Sequence, residues 1–370
     1  MKRLAIVGAT GLVGRTVLKV LEEQKLPIDE YALFASSKSA GKVLRFMGKD
    51  YTVQELTENS FDSGFDYAIF SAGGSTSKKY APIAASKGCI VVDNSSAFRM
   101  DKDVPLVVPE VNPEEIKNNH GIIANPNCST IQAVVALKPL DDAYGIKRIV
   151  YSTYQAVSGA GRNGVLDLEN GIKDYISSSE FAEDTDANKL EVNSSKYTNN
   201  ENSSVKYHTL KSNYELQKFD YPIFSNCLPH IDVFLENGYT KEEEKMINET
   251  RKILKKSLSI TATTVRVPVF NSHSESINVE FEKELGKDFE LEDVIKTLSS
   301  APGIILQDNI FAEKPIYPLA INSSGHDEVF VGRIRKDYSI KSGINLWVVA
   351  DNIRKGAATN AVQIVELLLK

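Results

Sequence analysis

The chain has 370 residues, of which 42% are hydrophobic and 25% are charged, and its formal net charge is −6. This length and composition predict two domains with a substantial apolar core. The negative charge, with no basic cluster, argues against nucleic acid as the main partner. No apolar stretch approaches ~18 residues and a strand pattern begins almost at the N-terminus, so we expect neither a membrane span nor a signal peptide.

Three cysteines, Cys89, Cys128 and Cys227, lie far apart in the sequence. Their spacing fits neither a disulfide framework nor a metal site, and such thiols are typical of a reducing compartment. We therefore expect a cytoplasmic protein without a bound metal.

A short apolar strand at residues 4–7 is followed by a glycine-rich loop at 8–14 and then by an amphipathic helix. In dinucleotide-binding βαβ units, such glycines let backbone N–H groups approach a pyrophosphate at the helix N-terminus. The glycine spacing here is G-x-x-G-x-x-G rather than G-x-G-x-x-G, so a glycine-rich turn in another α/β protein stays open.

The second strand, residues 31–35, ends in Ser36, Ser37, Lys38 and Ser39. An NAD site would place a carboxylate here on the ribose 2′-hydroxyl, whereas hydroxyls and a cation suit a 2′-phosphate. This favours NADP over NAD, and the alternative is a loop that is merely solvated.

Further short apolar strands are predicted at residues 67–72, 89–94 and 121–124, alternating with helices. This pattern predicts an α/β fold with a Rossmann-type, doubly wound parallel sheet. Small polar residues end two of these strands, at the carboxyl edge where such sheets bind ligands.

Cys128 follows the turn-forming segment 125–127 and precedes an apolar helical pattern at 131–137. A thiol at a helix N-terminus is stabilised as the thiolate by unpaired backbone N–H groups and the helix dipole. Cys128 is therefore the best candidate nucleophile of the chain, and a buried structural cysteine is the alternative.

Beyond this helix, residues 148–155, 276–281 and 328–334 alternate apolar and polar side chains. They predict a second, α+β domain built on a largely antiparallel sheet with one exposed face. Residues 356–368 predict a helix that returns to the first domain. The polar stretch at about 177–212 predicts a mobile surface insertion.

Arg266 and His273 flank a short segment that contains a proline. Such a segment can deliver a guanidinium and an imidazole to one cleft, where they could bind a carboxylate and move a proton. Taken alone, His273 is more typical of a histidine hydrogen-bonded in a loop, and Arg266 of a surface or salt-bridging arginine.

Six segments, in this order along the chain, resemble the aspartate-semialdehyde dehydrogenase family: residues 8–14, 93–99, 107–112, 126–130, 154–161 and 266–276. The resemblance spans essentially the whole chain. It implies reversible, NADP-dependent conversion of L-4-aspartyl phosphate to L-aspartate 4-semialdehyde and phosphate through a cysteine thioester. This step leads toward lysine, methionine and threonine.

Carried over residue by residue, the resemblance makes Cys128 the nucleophile and His273 the acid and base. It assigns Gln155 to orientation of the acyl group and Arg266 to the substrate α-carboxylate. The remaining substrate contacts would be Arg99, Asn127 and Lys245 on the phosphate and Glu242 on the ammonium group. Glu242 and Lys245 also fit an ordinary solvated helix. Capping boxes, such as the one at 240–243, and i,i+3 pairs of glutamate and lysine are common on such helices.

The resemblance also implies a set of cofactor contacts from the glycine loop, the strand ends and the second domain: Gly8, Thr10, Gly11, Leu12, Val13, Ser36, Lys38, Ser39, Ser71, Ala72, Gly73, Asn94, Ser158, Gly159 and Asn352. Lys38 stands where the family pattern has arginine, which weakens bidentate recognition of a 2′-phosphate. We expect an NADP-binding domain at 1–128 plus 352–370, and a catalytic and dimerisation domain at 129–351. The family suggests a homodimer or homotetramer.

Two other interpretations stay open. N-acetyl-γ-glutamyl-phosphate reductase shares the loop and the thioester chemistry, although its cysteine and histidine neighbourhoods differ from those found here. The other is an NADP-sensing regulator with the same fold and no catalysis. Such a sensor would need none of Cys128, Gln155, Arg266 and His273, so their joint presence argues against it.

Overall fold

The computed structural model describes residues 1–177, 214–283 and 291–370. Apart from Ser177, the insertion predicted at about 177–212 lies outside the described residues. Within those ranges, no helix has both the length and the apolar character needed to cross a membrane.

The first sheet has six parallel strands in the order β5-β2-β1-β6-β7-β8, which confirms the predicted doubly wound architecture. Its strands are β1 (Arg3–Val7), β2 (Glu30–Ala35), β5 (Gln54–Glu55), β6 (Tyr67–Phe70), β7 (Ile90–Asp93) and β8 (Ile122–Ala124). Helices α1 (Leu12–Gln24) and α2 (Gly74–Ser86) cross between strands, and β3 (Val43–Phe46) pairs with β4 (Lys49–Thr52) in a small hairpin. The strand order reverses between β1 and β6, where ligands bind in such sheets.

Two glycines of the first loop are required by close backbone approaches. Gly8 has φ 85°, and a Cβ built on it would lie 2.4 Å from the carbonyl oxygen of Ser71. A Cβ on Gly14 would lie 2.1 Å from the carbonyl oxygen of Gly8. Neither position accepts a side chain, so the glycines hold α1 against β1 and β6.

The second sheet has the order β10-β9-β11-β14-β13-β12. Its strands are β9 (Ile146–Gln155), β10 (Ser259–Arg266), β11 (His273–Phe281), β12 (Ile304–Leu306), β13 (Val329–Lys336) and β14 (Gly343–Ala350). The centre is antiparallel as predicted, but β10 and β12 at the two edges run parallel to their neighbours. Long connections make this possible, because a parallel pair needs a crossover rather than a tight turn.

The remaining helices are α3 (Cys128–Tyr144), α4 (Arg162–Ser177), α5 (Lys241–Leu254), α6 (Leu291–Ser299) and α7 (Ala320–Ser323). Helix α3 starts just after β8 of the first sheet, and its apolar residues join the core of the second sheet. The helix therefore links the carboxyl edge of one sheet to the buried face of the other.

The end of the chain returns to the first sheet. A π-helix, Arg354–Thr359, continues into α8 (Asn360–Leu369). Ala361, Val362, Ile364 and Val365 are fully buried in the core of the first sheet. The predicted return of a C-terminal helix is thus present, with a wider π turn at its start.

Candidate active site

A cavity of about 610 Å³ opens at the carboxyl edge of the first sheet and is lined by residues of both sheets. Its lining includes many of the predicted cofactor contacts: Gly11, Leu12, Val13, Ser71, Gly73, Asn94, Ser158, Gly159 and Asn352. Gly8, Thr10 and Ala72 flank these positions in the chain but are not part of the lining. Ser36, Lys38 and Ser39 lie outside the cavity, in a short 3₁₀ turn after β2.

Cys128 is the first residue of α3 and faces the cavity. The side chain of Asn127 caps the helix by accepting hydrogen bonds from the backbone N–H groups of Ser129 and Thr130. Burial raises the pKa of the Cys128 thiol to about 12, and the carboxylate of Glu242 adds to the rise. These two effects favour the neutral thiol, whereas the helix start favours the thiolate.

His273 begins β11 and is fully buried. Its Nδ1 accepts a hydrogen bond from the backbone N–H of Ala156 at 3.0 Å. Among the described residues, Nε2 has no hydrogen-bond partner. Burial lowers the pKa of His273 well below its ordinary value, and the positive charge of Arg266 lowers it further. The imidazole is therefore neutral.

Arg266 ends β10 and lies beside His273. A Cβ atom built on Gly159 would lie 2.9 Å from Arg266 Nη1 and 3.1 Å from His273 Nε2, so both nitrogens approach one wall of the cavity. Nη1 donates to the carbonyl oxygen of Ala156 at 2.6 Å, and Nε has no partner among the described residues. The guanidinium keeps donors for an anion, and it stays charged although burial lowers its pKa.

Glu242 connects the polar side chains of the cavity. Its carboxylate accepts hydrogen bonds from the Asn127 amide at 2.9 Å, the Gln155 amide at 3.2 Å and the Lys245 ammonium at 3.1 Å. Burial alone would raise the pKa of Glu242, but Lys245, Asn127 and Arg266 outweigh it and hold the pKa below its ordinary value. The group is a carboxylate, able to attract a cationic substrate group.

Arg99 is buried and held by three acceptors. It donates to the carbonyl oxygens of Asn94 and Asn125 and, through Nη1, to Glu249 at 3.0 Å. A guanidinium has five N–H donors, so about two remain for an anion in the cavity. Glu249 also accepts the backbone N–H of Asn127 at 2.6 Å.

Two residues of this site, Glu249 and Gly356, escaped the sequence interpretation. Glu249 lies on the same face of α5 as Glu242 and Lys245, and that i, i+3, i+7 spacing was the available signal. Gly356 lies in the π-helix, where a Cβ would come within 2.8 Å of Cys128 Cβ. Its contact joins distant parts of the chain, so no local signal could have found it.

Glu275 lies two residues beyond His273 on β11 and is fully buried. Neither of its carboxyl oxygens has a partner that meets hydrogen-bond geometry among the described residues, although Gln132 lies close enough to act on it. Burial, with the nearby charge of Glu242, raises the pKa of Glu275 well above its ordinary value. Burial therefore favours the protonated form of this carboxyl group behind the site.

Two family models match the chain. The model of the semialdehyde dehydrogenase NAD-binding domain matches residues 3–119, and that of the semialdehyde dehydrogenase dimerisation domain matches residues 137–355. The two matches correspond to the two sheets.

Named relatives are similar over the full length. The aspartate-semialdehyde dehydrogenase of Aquifex aeolicus is 55% identical, covering 100% of this chain and 98% of the relative. The crystal structure of aspartate semialdehyde dehydrogenase II from Vibrio cholerae, complexed with ASA, is 46% identical, with a TM-score of 0.85 over 100% of this chain and 98% of that one. The Candida albicans enzyme with NADP is 25% identical, with a TM-score of 0.71 over 100% and 99% of the chains.

Proposed function

The chain belongs to the aspartate-semialdehyde dehydrogenase family, and on this basis we propose that it interconverts L-4-aspartyl phosphate and L-aspartate 4-semialdehyde through a thioester on Cys128. It is an oxidoreductase of that class. The observation that carries the proposal is that Cys128, Arg266 and the Glu242 cluster line one cavity beside the carboxyl edge of a dinucleotide-binding sheet, with His273 next to Arg266 behind Gly159.

The substrate would be held at both ends. An α-carboxylate would bind Arg266, whose planar donors suit a carboxylate, and an α-ammonium would bind Glu242. Arg99 and Lys245 supply positive charge for a phosphate. The Asn127 amide is largely used by the α3 cap and by Glu242, so we assign it chiefly to positioning, with one N–H left for the phosphate. Gln155, held by Glu242, would orient the acyl carbonyl.

The activity is tested by phosphate-dependent NADPH formation from L-aspartate 4-semialdehyde. N-acetylglutamate semialdehyde should be a poor substrate, because its acetylated nitrogen cannot pair with Glu242. Cys128→Ser should lose more than about a hundredfold in turnover while still binding cofactor, because an alkoxide forms far less readily than a thiolate. Equal kcat/KM for the two aldehydes, or an active Cys128→Ser enzyme, would contradict the proposal.

The first domain binds NAD(P), and we propose NADP as the natural cofactor. The N-terminus of α1 has no side-chain cap, which leaves backbone N–H groups for a pyrophosphate, and no carboxylate follows β2. A bound nicotinamide would supply or accept the hydride. Ser36, Lys38 and Ser39 would contact the 2′-phosphate from the turn after β2.

The cofactor preference is tested by kcat/KM for NADP and for NAD. The parent enzyme should favour NADP, and Lys38→Glu should reduce the ratio, whereas Lys49→Glu in the exposed β3–β4 hairpin should leave it unchanged. Equal use of both cofactors by the parent enzyme would rule out recognition of the 2′-phosphate.

The chain contains a dimerisation domain, and we propose a homodimer or a dimer of dimers in the cytoplasm. Large apolar side chains of the second domain, Phe311, Ile321 and Tyr338, are 93%, 82% and 93% exposed. We also propose the boundaries 1–128 plus 352–370 and 129–351, because α8 completes the first core and α3 the second. Light scattering after size-exclusion chromatography measures the assembly, and a monomer would contradict it.

A further inference from the structure

We propose that inorganic phosphate enters and leaves the active site through a second cavity, between α2 and α5, and that Lys78 and Lys241 attract it there. This α2–α5 cavity has a volume of about 510 Å³. It is lined by the start of α2, by the segment 96–100 and by one face of α5. The inference rests on the phosphate-dependent reaction proposed above, and it adds a separate path for one reactant.

The α2–α5 cavity and the active-site cavity share a wall of three residues, Ser96, Arg99 and Lys245. Arg99 and Lys245 are the two cations proposed above for the phosphate. Arg99 is only 7% exposed, and about two of its N–H groups remain for an anion. Among the described residues, those that line the α2–α5 cavity include neither Cys128 nor the glycine loop at 8–14. An anion in this cavity therefore reaches Arg99 and Lys245 without crossing the region proposed for the cofactor pyrophosphate.

The proposed reaction needs such a path because phosphate is exchanged while the other reactants stay bound. Phosphate leaves when the thioester forms on Cys128, which is before hydride transfer. In the opposite direction, phosphate attacks a thioester that has already formed. At both stages the acyl group is attached to Cys128 and the glycine loop is needed for the cofactor. Exchange of phosphate through the α2–α5 cavity avoids the release of either.

Lys78 and Lys241 lie exposed at the edge of the α2–α5 cavity, one on each helix. Neither ammonium group has a hydrogen bond or an ion pair with another described residue, and Lys241 acts on the carboxylate of Asp232 only at longer range. Lys245, by contrast, is paired with Asp232 and with Glu242. Because Lys78 and Lys241 have no such partner, their charge is available to an anion that arrives from solvent.

The other groups of the cavity leave it with a positive balance of charge. The first turn of α2 has no side-chain cap and no acidic residue, so its backbone N–H groups and the helix dipole present positive charge beside Gly74 and Ser75. The lining has four cationic and two acidic side chains, in a chain whose net charge is −6. These are Lys78, Arg99, Lys241 and Lys245, with Glu244 and Glu249. A cleft in which one sign of charge dominates concentrates ions of the opposite sign.

The first experiment measures kcat/KM for phosphate in full-length Lys78→Glu/Lys241→Glu protein as a function of ionic strength. We expect a loss of at least about fivefold at about 20 mM salt that shrinks below about twofold at about 0.5 M, because salt screens exposed charges. The KM values for aspartate semialdehyde and NADP should stay within about twofold of those of the parent. The control is Lys79→Glu/Lys49→Glu, which makes the same change in net charge at exposed lysines outside both cavities.

An equal loss in the control protein, or a loss that persists at high salt, would overturn the proposal. A raised KM for NADP with an unchanged KM for phosphate would also overturn it, because the two lysines would then serve the cofactor. Each reversal of a lysine changes the charge by two units. Glu244→Gln changes it by one unit only, so its KM for phosphate should stay close to that of the parent.

The second experiment measures phosphate binding without turnover, from the broadening of the phosphorus-31 NMR signal of inorganic phosphate by Cys128→Ser protein. Adding Lys78→Glu/Lys241→Glu should raise the Kd at least about threefold at low salt, whereas Lys78→Arg, which keeps the charge, should leave it unchanged. An unchanged Kd in the protein with both reversals would contradict the proposal. If the parent shows no phosphate-dependent activity, the proposed function fails, while this titration still decides whether the two lysines attract phosphate.

Discussion

At the scale of single residues, the chemistry of the cavity depends on which charges are buried together. The Cys128 thiol lies at a helix start that favours the thiolate, yet burial and Glu242 favour the neutral thiol. Arg266 and Arg99 act in the opposite direction. In the proposed complex a substrate ammonium group would neutralise Glu242, so substrate binding should lower the pKa of the thiol.

Replacing Arg266 with lysine should weaken substrate binding while changing the reactivity of the Cys128 thiol much less. The guanidinium offers parallel donors to a carboxylate, whereas an ammonium offers a point charge. A loss of about 1.5 to 3 kcal/mol, or about ten- to a hundredfold in kcat/KM, is expected. Steady-state kinetics with aspartate semialdehyde measure this, and iodoacetamide reactivity serves as the control. An unchanged KM and kcat would remove Arg266 from the carboxylate site.

Glu275→Gln should flatten the pH dependence of stability. The pKa of this carboxyl group is raised in the folded protein, so the folded state holds a proton that the unfolded state releases above about pH 4.5. Stability is therefore lost as pH rises from about 4.5 toward the folded pKa, by up to about 1.4 kcal/mol per pH unit. Urea unfolding at pH 5 and pH 8 should show that the free energy of unfolding of the variant, relative to that of the parent, is higher at pH 8 than at pH 5. Glu280→Gln, whose side chain pairs with Lys147, is the control on the same strand, and an equal gain there would refute the assignment.

Local sequence patterns predicted the identity of the candidate residues but not their protonation states. The helix start at Cys128 and the proline-containing segment between Arg266 and His273 are local features, readable from the chain. The lowered pKa of His273 depends on its burial and on the charge of Arg266, and the raised pKa of Cys128 depends on its burial and on Glu242, which is remote in sequence. Burial and long-range charge are properties of the assembled fold.

At the scale of elements, α5 serves as the support for the start of α3. Glu249 binds both Arg99 and the Asn127 backbone, so one carboxylate fixes a cation and the helix cap. Glu249→Gln should cost about 3 kcal/mol, because it leaves the buried Arg99 without its countercharge, and it should raise the KM for phosphate. Glu244→Gln, at a half-buried position of α5 whose carboxylate accepts from Asn237 and Asn248 rather than from Arg99, should leave both unchanged. Chemical denaturation measures the free energy of unfolding, and a phosphate titration measures the KM. Parent-like values of both in Glu249→Gln would contradict the supporting role of Glu249.

The elements themselves were largely predictable from periodicity. Every strand predicted for the first sheet is present, because buried parallel strands are short apolar runs. The parallel edges of the second sheet and the π-helix were not predictable. Pairing direction depends on how the connections fold, and the π-helix packs through Gly356 against Cys128, which is remote in sequence.

At the scale of the whole molecule, Arg354 ties the C-terminal segment to two distant regions. Its guanidinium makes two hydrogen bonds of 2.8 Å to Asp327 and also pairs with Glu23 on α1. Arg354→Met should lower the free energy of unfolding by about 1 to 3 kcal/mol. Arg45→Met, in an exposed pair with Asp50, should change it by less than about 0.5 kcal/mol. Urea denaturation measures both free energies of unfolding, and equal losses for Arg354→Met and Arg45→Met would contradict the role of Arg354.

The return of the C-terminus also determines when the enzyme becomes complete during synthesis. The amide of Asn360 donates to Asn125, 235 residues earlier, and α8 fills the core of the first sheet. At about 5 to 20 residues per second, a ribosome needs roughly 10 to 50 s to make the intervening chain. Throughout that interval the first sheet has an uncovered apolar face and Cys128 lacks its neighbour Gly356. We therefore expect the nascent chain to be inactive and prone to association until α8 has been made.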